Sequence, residues 1–68
     1  MSLYDYKVSL DIGKADPPFC AMIMACMRKA DTDNLSRLLL AFPETYKELQ
    51  ARYHAPGGRL PDDEEWPA

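Results

Sequence analysis

Apolar and polar positions divide the chain into stretches with different periods. From Tyr4 to Ile12 the two classes alternate, with Tyr4, Tyr6, Val8, Leu10 and Ile12 set against Asp5, Lys7, Ser9 and Asp11. A period of two ordinarily marks a strand. No second strand is visible, however, and a lone strand leaves its backbone groups unpaired unless two chains meet there. The same segment also places Tyr4, Val8, Ile12 and Ala15 at helical spacing, with Ser2 available as a cap. Residues 3–12 are therefore expected to form a helix in preference to an intermolecular strand.

The next stretch, "FCAMIMACM" from Phe19 to Met27, is uninterruptedly apolar. Pro17 and Pro18 bar a helix from starting earlier, and Pro18 suits a first helical position, where its missing N–H costs nothing. A helix that is apolar right round is buried on all sides. So short a chain offers few partners to bury it, and a second copy is expected to cover part of it.

Beyond it, Leu35, Leu38, Leu39 and Phe42 recur at i, i+3, i+4, i+7, with Asp31, Thr32 or Asp33 as the N-cap; Leu40 falls off this stripe and is expected at the surface or an interface. Pro43 forces Phe42 into an extended conformation and opens a fourth helix, in which Tyr46, Leu49 and Tyr53 continue the stripe. "HAPGG" ends that helix. The fold class expected is all-α: a bundle of three to four short helices over residues 1–58, followed by a flexible acidic tail over 59–68 and completed by self-association.

Length and charge sharpen this picture. A core within 68 residues rarely supplies more than about 3–5 kcal/mol, which is the reason to expect a homo-oligomer. The net charge is −3, with 8 basic and 11 acidic residues. The excess lies in the tail "RLPDDEEWPA", so the body is neutral and lacks the basic stripe of a nucleic-acid binder. The sulfur-rich run is too short and too tightly flanked by Asp16 and by Arg28-Lys29 to span a membrane. With no secretory pattern at the start of the chain, the protein is expected in the cytoplasm.

Candidate chemistry is sparse. On one helix, Cys20 and Cys26 stand about 9 Å apart in rise, too far for a disulfide and at the wrong spacing for a shared metal. Both are expected to be buried small hydrophobes. No phosphate loop, zinc spacing or catalytic triad pattern is present, so neither an enzyme nor a cofactor is expected. Two polar clusters remain. "RKADTDN" sits at a helix junction and offers Arg28 as an anion-binding donor and Asn34 as a reader of a polar edge. "RYHAPGG" offers Arg52 as a second cation, Tyr53 as a stacking ring, and Gly57 and Gly58 where a ligand could approach the backbone. Each cluster also has a plain structural reading, a capped turn and a helix terminus respectively.

"DPPFCAMIMACMRKADTDN" followed by "AFPETYKELQARYHAPGG" resembles a family of small uncharacterised proteins encoded in tailed-phage and prophage genomes, over about residues 4–60. In that family position 20 is more usually aromatic and position 26 more usually small, so both cysteines depart from the pattern. The resemblance implies a non-enzymatic accessory protein acting in the host cell against host defence. One way to do so is to sequester a nucleotide immune signal in an oligomer, using Arg28, Asn34, Arg52 and Tyr53. The alternative is a small inhibitor or adaptor that binds a host or phage protein through an exposed apolar strip such as Leu40.

Overall fold

The computed structural model describes residues 1–61 and Asp63. It contains four α-helices, α1 (Leu3–Lys14), α2 (Phe19–Lys29), α3 (Thr32–Ala41) and α4 (Pro43–Tyr53), and a closing 3₁₀ turn, Pro56–Gly58. The described residues form no strand, so the all-α expectation holds.

The alternating first segment is a helix, as expected, and its amino terminus is capped. Ser2 accepts a hydrogen bond from the Asp5 N–H at 3.2 Å, and the Asp5 carboxylate accepts from the Ser2 N–H at 3.1 Å, closing a capping box. The helix stops where Asp16 enters the left-handed region at φ 49, a conformation Asp tolerates better than most residues. Pro17 and Pro18 then extend the chain; Pro18 lies at φ −56, ψ 146, a polyproline geometry that spaces α1 stiffly from α2. Pro18 serves as the N-cap of α2 and Phe19 as its first helical residue, one position later than expected.

Helices α2, α3 and α4 form the body. Asp31 caps α3 by accepting from the Asn34 N–H at 2.9 Å. Phe42, at φ −133, ψ 61, breaks the chain between α3 and α4, and Pro43 opens α4 at a position that needs no N–H. This turn lets α4 fold back on both α2 and α3. The core that results is small. Met27 at 4% exposure and Leu49 at 7% are the buried hydrophobic residues, while Leu35, Leu38, Leu39, Phe42 and Tyr46 are half-buried around them. Phe19 and Phe42 close one edge, their rings in T-shaped contact at 5.9 Å.

Two expectations need correction. Cys20 and Cys26 are both exposed, not buried. Two short helices, α3 and α4, pack on α2, leaving Met22, Ile23 and Met24 half-buried and Met27 buried; they do not reach over Cys26 or over Cys20 in the first turn. Tyr53 keeps its place on the α4 stripe, beside Leu49 and Met27, but stands 75% exposed at the rim of the core and not within it. Leu40, at 86%, is on the surface as its position off the stripe required.

Candidate interaction surface

Most of the exposed large hydrophobics among the described residues lie in or beside α1: Met1, Leu3, Tyr4, Tyr6, Leu10 and Ile12. Among the described residues, no Cα atom of α1 comes within 8 Å of a Cα in another helix. At 3.6 residues per turn, its alternating sequence resolves into two stripes on nearly opposite sides. Tyr4, Val8 and Ile12 form the inner stripe, which turns towards α2 only at its end: Tyr4 is 74% exposed and Ile12 48%, Val8 is the one half-buried residue of the helix, and Ile12 joins Pro17, Ala21, Met22 and Cys26 around an apolar cavity of about 300 Å³. Leu3, Tyr6 and Leu10 form the outer stripe and are 68%, 62% and 50% exposed. A period of two along a helix thus produces two apolar faces where a strand would have one.

The candidate ligand residues fall in three places. Arg28 and Tyr53 share a cleft of about 170 Å³ floored by Met27, Leu35 and Leu49. Asn34 lies in a separate shallow groove with Lys29, Asp31 and Arg37, and its N–H is taken by the Asp31 cap. Arg52, Gly57 and Gly58 belong to the turn after α4. There Gly57 (φ 61) and Gly58 (φ 72) adopt left-handed conformations that favour glycine, reversing the chain so that the Gly58 carbonyl accepts from Arg52 Nη1 at 2.8 Å.

Arg52 is further engaged by a partner the sequence did not single out. Its Nη1 and Nη2 donate to the two oxygens of Asp63 at 2.6 and 2.7 Å, its Nε lies 3.4 Å from Glu48, and the Leu60 N–H also donates to Asp63 at 2.9 Å. This bidentate fork is the strong form of a charge-assisted pair, and it fastens the start of the acidic tail to α4. The hydrogen bonds from Arg52, then from the Leu60 N–H, hold the Asp63 carboxyl well below the usual carboxylate range. Asp62 and residues 64–68, on which most of the expected disordered tail falls, lie outside the described residues.

The sign of the pH effect follows. Because the folded state depresses the Asp63 pKa, the clasp contributes its full stability above the unfolded carboxylate value of about 4 and loses it progressively as the pH falls towards the folded value. The ¹³C carboxyl resonance of Asp63 should therefore still report a carboxylate at about pH 3, where ordinary exposed Asp residues are mostly protonated. Arg52→Lys, which removes the fork, should return its titration towards the ordinary range. An Asp63 that titrates in the ordinary carboxylate range in the unaltered protein would show that the clasp does not form.

Among the described residues, no group of three or more His, Cys, Asp or Glu side chains is placed to hold a metal ion, and no helix is long and apolar enough to cross a membrane. Compared with protein-family models, with curated proteins and with solved structures, the chain matches none of them.

Proposed function

We propose that this chain is a non-catalytic phage accessory protein that works in the host cytoplasm by stoichiometric binding to protein, with the outer stripe of α1 as its binding surface. The observation that carries the reading is that α1 brings no Cα within 8 Å of another helix among the described residues, while exposing Leu3, Tyr6 and Leu10 together. An isolated helix shorter than about 12–15 residues is marginal in water, so the 12 residues of α1 gain most from a helix or groove that covers them. Amphipathic helices dock into apolar grooves through anchors at just this i, i+3, i+7 spacing.

Sequestration of a nucleotide signal is the weaker reading. Its second phosphate ligand, Arg52, is already occupied by Asp63, Gly58 and Glu48. The Arg28–Tyr53 cleft, at about 170 Å³, is also smaller than the roughly 300 Å³ at which small-molecule pockets begin.

The test is site-specific photocrosslinking in phage-infected cells. A photoactivatable aromatic residue in place of Tyr6 should give discrete adducts with protein, whereas the same group in place of Lys47, on the exposed side of α4, should give none. The absence of any protein adduct at Tyr6 would overturn the reading.

A further inference from the structure

We infer that the outer stripe of α1 binds a second copy of this chain, the two α1 helices pairing antiparallel about a two-fold axis beside Ser9. The inference rests on the reading of α1 as a binding surface and names its occupant. Three observations carry it.

The first is exposure. Among the described residues, the exposed large hydrophobics Met1, Leu3, Tyr4, Tyr6, Leu10 and Ile12 lie in or beside α1, and Leu3, Tyr6 and Leu10 share its outer stripe.

The second is charge. Lys7, Asp11 and Lys14 lie along the same edge of the outer stripe; Asp11 stands 3.7 Å from Lys14 of its own helix, an exposed pair weak enough to exchange for another cation. In an antiparallel pair the same edges of the two helices face each other, so an axis beside Ser9 sets Lys7 against Asp11 of the partner subunit and repeats the contact symmetrically. The helix as a whole carries Asp5, Lys7, Asp11 and Lys14 and is neutral. That balance suits a copy of itself better than an anionic membrane surface, which selects a basic face.

The third is shape. About the same axis, Leu10 meets its own counterpart and Tyr6 comes over Gly13 of the partner subunit. Gly13 has nothing within 4 Å of the position its Cβ would take, so an incoming ring finds open space there. A glycine inside a helix costs about 1 kcal/mol relative to alanine, and close approach of a partner is a reason to keep it.

A single 12-residue helix pair is a small interface, so association is expected in the micromolar range, at the weak end for specific dimers. The test is sedimentation of the full chain from low micromolar to near-millimolar concentration, in reductant because Cys20 and Cys26 are exposed. The wild-type protein should pass from monomer to dimer. Leu10→Glu, which buries a charge on the axis, should weaken association by about a hundredfold. Lys7→Asp should weaken it by about tenfold, and Lys7→Asp combined with Asp11→Lys should restore it. Because Leu10, Lys7 and Asp11 take no part in the buried core at Met27 and Leu49, the melting transition of α2–α4 should be unchanged in all three variants, which separates lost pairing from lost folding. A wild-type chain that stays monomeric throughout, a Leu10→Glu protein that dimerises like wild type, or a charge reversal that fails to restore pairing would each overturn the inference. A Tyr6 crosslink to a different protein, combined with a monomeric chain, would overturn the second copy as occupant while leaving the binding role of α1 in place.

Discussion

Replacing Leu49 by alanine is expected to unfold most of the protein at room temperature. Leu49, at 7% exposure, and Met27, at 4%, are the buried pair on which α2, α3 and α4 converge. Truncating a buried leucine removes its transfer free energy and leaves a cavity, about 2–5 kcal/mol together. The whole core of a domain this size supplies only about 3–5 kcal/mol, so a loss in the middle of the first range leaves little or no net stability. Met27→Ala should act similarly. The two effects should fall short of additive, because the side chains line the same cleft and share the volume that either truncation empties. Leu40→Ala is the control: at 86% exposure it should change stability by less than about 0.5 kcal/mol. Urea unfolding followed by circular dichroism measures the wild type, the three single variants and the Met27→Ala, Leu49→Ala double variant. A Leu49→Ala protein that loses less than about 1 kcal/mol would show that stability resides outside the α2–α4 body.

That narrow core explains which parts of the structure were legible in the sequence. Helix ends are local matters of capping and proline geometry, and Ser2, Asp31, Phe42-Pro43 and the Pro56–Gly58 turn all act within a few residues of where they stand. The stripe through Leu35, Leu38, Leu39, Phe42 and Leu49 was readable for the same reason, since one helical period decides it. What a period cannot give is how far the neighbours reach. The apolar run of α2 reads as buried on every side, yet Cys20 and Cys26 are exposed because two helices of 10 and 11 residues do not reach round it. The Arg52–Asp63 clasp was missed for a different reason. It joins residues eleven positions apart across a left-handed glycine turn, with no periodic signal between them. A weaker signal was present, a helix-terminal arginine followed by a chain reversal and an acidic run, and it places opposite charges where the reversed chain returns to α4.

The alternation in α1 is the most informative ambiguity, and it leads to the second large effect: the helicity of the protein should depend on its concentration. Ser2 and Asp5 supply a capping box, and an N-cap contributes only about 1 kcal/mol. Against this stand the cost of nucleating a helix and the poor helix propensity of tyrosine, valine, isoleucine and glycine, which occupy five of its positions. With its outer stripe bare, α1 is left with Ile12 and Val8 near the body as its tertiary support. Pairing with a second α1 adds the missing burial, so helix formation and dimerisation become one linked equilibrium. Since α1 contributes 12 helical residues beside 11, 10 and 11 in α2, α3 and α4, dilution below the dissociation constant should lower the helical ellipticity by about a quarter. Leu10→Glu should sit at the lower value at every concentration, and the thermal transition of the body should persist in both proteins. An ellipticity that does not change on dilution would place the support of α1 within its own chain, at the cavity where Ile12 meets Pro17, Ala21 and Met22. The inner stripe would then hold the helix, and the outer stripe would be free for a partner of another kind.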